Sequence, residues 1–102
     1  MMLPPFEGFD WDDGNRGKCE KHGLTVQQIE SLFHGAMHVF PDVAHSQSET
    51  RHIGIGLIDD GRHVLVAFTI REVANRPLIR PISARFMHDK EITHYESQVQ
   101  KS

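Results

Sequence analysis

The residues between Arg51 and Ile70 constrain the fold of this chain more than any other stretch. Apolar side chains alternate with others over residues 51–58 and again over residues 63–70, and this two-residue period is typical of strands with one buried face. Between the two runs lies a strong tight-turn sequence, Asp59-Asp60-Gly61-Arg62. The sequence therefore predicts an antiparallel hairpin around which a sheet can form.

Three further strands are predicted on either side of this hairpin, over residues 9–11, 36–40 and 78–84. Pro81 lacks an N–H group, so the last of these strands is expected to lie at a sheet edge or to bend there. The polar residues 42–49 and 71–76 are interpreted as connections between strands. Together with the hairpin, these strands predict a single antiparallel sheet.

Three helices are predicted, over residues 13–21, over residues 25–34, and from His88 or Asp89 onwards. Asp12 is expected to cap the first helix, and Thr25 forms a capping box with Gln28 at the start of the second. Apolar side chains of the third helix form one stripe that is expected to face the sheet: Ile92, Tyr95 and Val99.

The order of these elements, β-α-α-β-β-β-β-α, predicts an α+β fold in which helices pack on a single antiparallel sheet. With 102 residues, the chain is long enough for one domain with one core, which is expected to span residues 1–102. The two ends, residues 1–8 and 99–102, are expected to be loosely ordered.

The charge and composition of the chain limit its possible functions. Its net charge of −3 argues against binding nucleic acid through bulk positive charge, although residues 51–102 are slightly basic and leave room for a small basic cleft. No apolar run approaches the roughly 20 residues of a membrane helix. The N-terminus lacks the positive region of a secretory signal, and Cys19 has no disulfide partner, so the cytoplasm is the expected compartment.

Charged side chains concentrate in residues 79–96, where a predicted strand leads into the last helix. Arg80 and Arg85 are five residues apart, so they start on opposite faces of a regular strand unless Pro81 bends it. Arg85 is favoured for a site because it lies at the strand's end and its planar guanidinium can bind phosphate bidentately. A surface salt bridge to Glu91 or Asp89 is the competing interpretation.

Four more residues are candidates for the same site: His88, His22, Lys21 and Arg51. Glu91 lies one helical turn from His88, where a carboxylate could orient the imidazole and raise its pKa, although an exposed helix end explains His88 as well. His22 could simply interact with a helix dipole. Arg51 begins a strand and could point into the cleft of Arg85, whereas Tyr95 and Trp11 are expected to pack in the core.

His34 and His38 have the four-residue spacing of a metal-ligand pair on a helix. Gly35 and the strand-like residues that follow it argue against a helix at this point, and the sequence contains no pair of cysteines. No metal and no other cofactor are therefore expected.

Three segments, taken in order, resemble the BrnT family of bacterial type II toxins. They carry Trp11-Asp12 with Lys21-His22-Gly23, the run Arg51-His52-Ile53-Gly54-Ile55-Gly56, and the run Ile79-Arg80-Pro81-Ile82-Ser83-Ala84-Arg85 with Glu91 and Tyr95. Gly61-Arg62 and Thr69 fit the pattern between the second and third segments. The resemblance covers residues 9–96, which is nearly the whole chain.

The resemblance implies a fold similar to that of the RelE-type ribonuclease toxins and an RNA-cleaving activity that inhibits translation and growth. It also implies a BrnA-like antitoxin that neutralises the toxin in a heterotetramer of two toxins and two antitoxins. In such pairs the antitoxin carries the DNA-binding domain, so the toxin would meet operator DNA only through its partner.

Cleavage of RNA by its own 2′-hydroxyl needs a base, an acid and cations that stabilise the charge on phosphorus, but no metal. Arg85 and Arg80 are the phosphate candidates, and histidines such as His88 and His22 suit the acid and base near neutral pH. Two alternatives remain open. The chain could be a toxin-like binding module that only pairs with a DNA-binding partner, or a small metal- or ligand-binding domain that uses its eight histidines.

Overall fold

The computed structural model describes residues 3–101, in which five strands form one sheet and three helices accompany it. Residues 1, 2 and 102 belong to the ends that were expected to be loose, and they lie outside the described residues. The elements in chain order are β1 (Gly8–Phe9), α1 (Asp13–Glu20), α2 (Val26–Leu32), β2 (His38–Pro41), a 3₁₀ turn (Val43–His45), β3 (Arg51–Leu57), β4 (His63–Val73), β5 (Arg76–Phe86) and α3 (Asp89–Lys101).

The sheet is mixed, with the spatial order β1-β5-β4-β3-β2. β1 runs parallel to β5, and the other three pairs of neighbouring strands are antiparallel. The α+β class is confirmed, but the prediction of an all-antiparallel sheet was wrong at this edge. A strand of two residues shows no alternation, and its partner in β5 lies about 70 residues away, so no local signal gave its direction.

The hairpin of β3 and β4 is confirmed, with Leu57 opposite His63 across a turn in which Gly61 has a φ of +86°. The prediction of a polar connection over residues 71–76 was wrong. β4 and β5 continue to a two-residue turn of Ala74 and Asn75, whose φ angles are 53° and 63°. Such a turn usually carries glycine or asparagine at both central positions, and Ala74 hid the signal.

The core lies between one face of the sheet and the two N-terminal helices. Val64, Val66 and Phe68 of β4 are fully buried there, together with Ile29 of α2. The ring of Phe33 packs edge-to-face on that of Phe68, with centroids 5.0 Å apart. Phe6, from the segment expected to be loose, also packs against this cluster.

Both predicted helix caps are present. The side chain of Asp12 accepts from the N–H of Asn15 at 3.0 Å, and Thr25 and Gln28 form the reciprocal bonds of a capping box. Asn15 also anchors α1 to the edge of β5 that β1 leaves uncovered, because its Nδ2 donates to the carbonyl of Pro81 at 2.8 Å. The first helix is thus fixed beside the strand that carries Arg80 and Arg85.

β5 contains a β-bulge at Ile82. Pro81 pairs with Phe68 and Ser83 pairs with Ala67, so Ile82 has no partner of its own in the ladder. The bend expected near Pro81 is confirmed, and the extra residue changes which face of the sheet the later residues of β5 occupy.

The face of the sheet opposite α1 and α2 is called the open face here. Side chains of Ile55 and Leu65 lie on this face, next to α3, in a groove that Phe40 and Met87 complete. The apolar stripe of α3 faces this region but is not deeply buried, since Ile92, Tyr95 and Val99 are each half-buried. None of the described helices is long and apolar enough to cross a membrane.

Candidate functional site

The bulge in β5 places Arg80 and Arg85 on the same face of the sheet. Arg80 is opposite Thr69 and Arg85 is opposite Leu65. Directly paired residues share a face, and so do residues four apart on one strand, which makes both arginines members of the open face. We expected Arg80 and Arg85 to start on opposite faces, as they would on a regular strand. The bulge at Ile82 makes the strand irregular, so this expectation was wrong.

Two pockets divide most of the candidate residues between them. The first, called the His22–His88 pocket, has a volume of about 290 Å³ and is lined by His22, Arg85, Phe86 and His88. The second, called the Arg51 pocket, has a volume of about 310 Å³ and includes Arg51 and Arg80 among its lining residues. Lys21 is exposed at the end of α1, directly beside His22.

Three separate elements bring the His22–His88 pocket together. His22 belongs to the turn after α1, which Gly23 ends at a φ of +94°, a conformation that favours glycine. His88 is the N-cap of α3, since its carbonyl accepts from the N–H of Ile92 at 2.9 Å. The ring of Phe86 forms the apolar wall, and the guanidinium of Arg62 lies 4.1 Å from its centroid on one side.

Arg85 is held by a bidentate salt bridge to Glu91. Its Nη1 and Nη2 donate to the two carboxylate oxygens at 2.7 and 2.8 Å. The Arg85 hydrogen bond is the main cause that lowers the pKa of Glu91 to about 2, and the same bond raises the pKa of Arg85. The side chain of Arg85 remains 39% exposed, and its Nε–H has no partner among residues 3–101, so the guanidinium is oriented but still able to bind an anion.

The predicted role of Glu91 toward the imidazole of His88 was wrong. Glu91 Oε1 instead accepts from the main-chain N–H of His88 at 3.0 Å, and both of its oxygens bind Arg85. A glutamate at the third helical position characteristically reaches back to the amide of the N-cap, and this competes with contact to the ring. The imidazole of His88 is therefore left exposed at the mouth of the pocket.

The Arg51 pocket contains two cations that were not proposed for the site from the sequence, Arg71 and Lys18. Arg71 lies two residues beyond Thr69, so it projects from the same face of β4. No local pattern signalled Arg71, because the apolar alternation of β4 ends at Ile70 and the polar Arg71 and Glu72 follow in the stretch that was interpreted as a connection. Lys18 lines the pocket from α1.

Other residues singled out in the sequence have structural roles. Trp11 packs against the core and its Nε1 donates to Glu30 at 2.8 Å. His34 contacts the rings of Phe6 and Phe9, whereas the Nδ1 of His38 is hydrogen-bonded to the hydroxyl of Tyr95. Within residues 3–101, no group of three or more histidine, cysteine or acidic side chains is placed to hold a metal ion.

The family comparison matches most of the chain. Residues 11–91 match the model of a family described as ribonuclease toxin, BrnT, of type II toxin–antitoxin systems. The matched range includes all six candidate site residues: Lys21, His22, Arg51, Arg80, Arg85 and His88. A comparison with curated proteins gives no match. Since the match extends from Trp11 into the first turn of α3, the chain belongs to the BrnT family of ribonuclease toxins, whose partners in type II systems are antitoxin proteins.

Proposed function

We propose that this toxin cleaves RNA in the His22–His88 pocket, without a metal ion, by attack of a 2′-hydroxyl on the adjacent phosphorus. The observation that carries the proposal is the convergence of two imidazoles and one oriented guanidinium on a single cavity. These are the groups that this reaction requires, and they come from three elements far apart in sequence.

Each group has a role in the reaction. The guanidinium of Arg85 binds the phosphate and stabilises the negative charge that develops on its oxygens. One of the two histidines, His22 or His88, accepts the proton of the 2′-hydroxyl as the new O–P bond forms. The other protonates the 5′-oxygen as its bond to phosphorus breaks. Lys21 adds positive charge beside His22, which favours the approach of RNA.

The finer properties of the toxin follow from its family resemblance and belong to the same proposal. We propose a RelE-like arrangement of the nuclease, action in the cytoplasm with inhibition of translation and growth, and neutralisation by a BrnA-like antitoxin. The complex would be a heterotetramer of two toxins and two antitoxins. The antitoxin would supply the contacts to operator DNA.

The proposal predicts that Arg85→Ala abolishes toxicity and RNA cleavage. Removing a charged group that stabilises the transition state typically slows a reaction by roughly a hundredfold or more. The chain is induced alone in a bacterium, with growth and total RNA followed over time, and the purified protein is assayed on RNA in EDTA. Wild type should arrest growth and cleave RNA in EDTA.

Arg76→Ala is the matched control. Arg76 lies on the same strand, is exposed and also binds a carboxylate, that of Glu7 at 2.6 Å, but it is remote from the pocket in the register of β5. This variant should remain toxic. Equal activity of wild type and Arg85→Ala would refute the assignment of Arg85, and loss of wild-type activity in EDTA would refute metal independence.

One observation favours a second function, a binding module that pairs with an antitoxin and cleaves no RNA. Glu91 occupies the bidentate edge of Arg85 that a phosphate would otherwise use. This alternative predicts no growth arrest at good expression of folded protein, together with intact binding of the antitoxin encoded beside it. Toxicity that depends on Arg85 would exclude it.

A further inference from the structure

We propose that the Arg51 pocket is a second phosphate site, which binds the backbone of single-stranded RNA at a nucleotide that flanks the cleaved linkage. This inference rests on the proposed ribonuclease function, because it assigns the pocket to the same substrate. It separates Arg51 and Arg80 from the catalytic group and gives them a binding role.

The pocket is built on one row of the sheet. Arg51 of β3, Thr69 of β4 and Arg80 of β5 are directly paired across the three strands, so their side chains share the open face. Arg71 projects beside this row, and Lys18 approaches it from α1. Four cations from four elements therefore meet at one cavity in a chain whose net charge is negative.

A polar group at the centre of the row has no partner. Thr69 is 1% exposed, and its Oγ1 forms no hydrogen bond with any of residues 3–101. This hydroxyl is buried between the two arginines of the row and is not among the groups that line the Arg51 pocket, so a ligand there would contact the arginines rather than Thr69.

The carboxylates near the pocket orient two of the cations and leave the other two free. Arg80 binds Asp12 at 2.8 Å, and Arg71 binds Glu49 at 3.2 Å. Asp10 lies between these two arginines, 3.6 Å from Arg80 and 3.9 Å from Arg71. Neither Arg51 nor Lys18 forms a salt bridge within residues 3–101. A purely structural ion-pair network would pair its cations, whereas a phosphate site keeps some available for its ligand.

The bulge aligns this pocket with the catalytic one. Arg80 and Arg85 share the open face, and the rows that carry them are separated by four residues of β4, roughly 13 Å. Between the two rows lie Ala67 and the exposed Ser83, whose small side chains project little from the sheet. A strand of RNA with one phosphate at Arg85 can therefore continue over this surface to the Arg51 pocket.

The test measures binding without cleavage. The probe is a fluorescent decaribonucleotide of mixed sequence in which 2′-O-methyl groups block the attacking hydroxyls, and its dissociation constant is measured by anisotropy over a range of salt concentrations. Arg51→Gln should weaken binding about tenfold and lower the slope of log affinity against log salt by ~0.7, the value for one lost phosphate contact in a single strand. Lys18→Gln, a change on an exposed helix face, should act in the same direction.

Charge-matched controls separate the pocket from general electrostatics. Arg76→Gln removes the same charge elsewhere on the sheet and should leave the dissociation constant within a factor of two of wild type. Glu49→Gln removes the nearer of the two carboxylates that bind Arg71 and should tighten RNA binding, whereas Glu7→Gln, which frees Arg76, should not. Equal effects of the paired variants, or unchanged binding by both Arg51→Gln and Lys18→Gln, would overturn the proposal.

Two results distinguish this inference from the proposed function. If wild-type protein binds the methylated probe in an Arg51-dependent way but cleaves no RNA, the phosphate site is supported and the ribonuclease function is refuted. If wild-type protein cleaves RNA while the Arg51 and Lys18 variants bind the probe normally, the ribonuclease function is supported and the phosphate site is refuted. If these variants weaken capture of the antitoxin and leave RNA binding unchanged, the pocket binds a protein carboxylate and the inference is wrong.

Discussion

Arg85 and Glu91 illustrate how a single pair of side chains serves both the fold and the site. The salt bridge fixes the direction of the guanidinium and joins the end of β5 to the first turn of α3. Glu91 also accepts a hydrogen bond from the main-chain N–H of His88. A salt bridge on an exposed surface usually contributes little to stability. The bidentate geometry and the shared capping role set this one apart.

The lowered pKa of Glu91 predicts a specific dependence of stability on pH. Its pKa is about 2 in the folded protein, against an ordinary value of 4.5, so the folded state favours the ionised carboxylate. The resulting stability is fully present above pH 4.5 and is lost as the pH falls toward 2. Thermal unfolding followed by circular dichroism between pH 6 and pH 2 should show a smaller loss of Tm for Glu91→Gln than for wild type.

Glu7→Gln is the control for this measurement, because Glu7 also forms a salt bridge with an arginine but does not cap a helix. Its Tm should follow the wild-type curve through the same pH range. Parallel curves for wild type and Glu91→Gln would show that the Arg85–Glu91 pair is not what weakens at low pH.

At the same scale, the sequence identified Arg85, His22 and His88 as candidates and offered Glu91 as a partner of both Arg85 and His88; the structure confirms the salt bridge of Arg85 to Glu91. Both Arg85 and His88 lie within reach of the Glu91 carboxylate, and the spacing in the sequence alone does not choose between them. Cys19 is fully buried in the core, and burial raises the pKa of its thiol to about 11, which disfavours a thiolate near neutral pH.

At the scale of elements, β3 carries two glycines because a neighbouring segment crosses it closely. A Cβ at Gly54 would lie 2.7 Å from the sulfur of Met37 and 3.3 Å from the ring of Phe68. The segment before β2 therefore rests directly on the backbone of β3, which brings α2 down onto the core face of the sheet.

Gly54→Val should destabilise the protein by about 1–3 kcal/mol, because the added methyl groups have no space against Met37 and Phe68.

Gly17→Ala should have the opposite effect. Gly17 lies inside α1 with open space around its Cβ position, so alanine should stabilise the helix by about 0.5–1 kcal/mol. Urea unfolding of both variants checks the signs. A neutral Gly54→Val would mean that Met37 can move aside freely.

Local signals predicted the elements whose causes are local. Alternation and the Asp59–Arg62 turn gave β3 and β4, and the capping residues Asp12 and Thr25 gave the starts of α1 and α2. The helices themselves end earlier than predicted, since Leu32 rather than residue 34 is the last residue of α2. The bulge at Ile82 and the pairing of β1 depend on contacts with residues far along the chain, so the local pattern did not contain them.

At the scale of the whole molecule, the two faces of the sheet are unequal. One face is sealed by α1 and α2, whereas the other carries the arginines and meets α3 only at one end. No residue of α3 between positions 89 and 100 is buried, and its aromatic anchor Tyr95 is half-buried beside His38. Elements with few buried apolar contacts open first in native proteins.

Hydrogen exchange should therefore differ sharply between α3 and the centre of the sheet. Amides of residues 89–101 are expected to exchange through local opening, at least tenfold faster than those of residues 63–70, which open only with the whole domain. Mass spectrometry of peptides from the two segments measures this difference. Equal protection of both segments would show that α3 opens together with the sheet.

The extra residue in β5 also affects how this strand tolerates changes in length. Ile82 lengthens the chain by one residue without adding a rung to the ladder, because its neighbours Pro81 and Ser83 already face consecutive residues of β4. A chain that lacked Ile82 would form an uninterrupted ladder with Arg80 and Arg85 on the side of the sheet that they now occupy. Elsewhere in the sheet a one-residue deletion would turn the rest of the strand over. Two toxins with different spacings between these arginines can therefore carry both of them on the same face of the sheet.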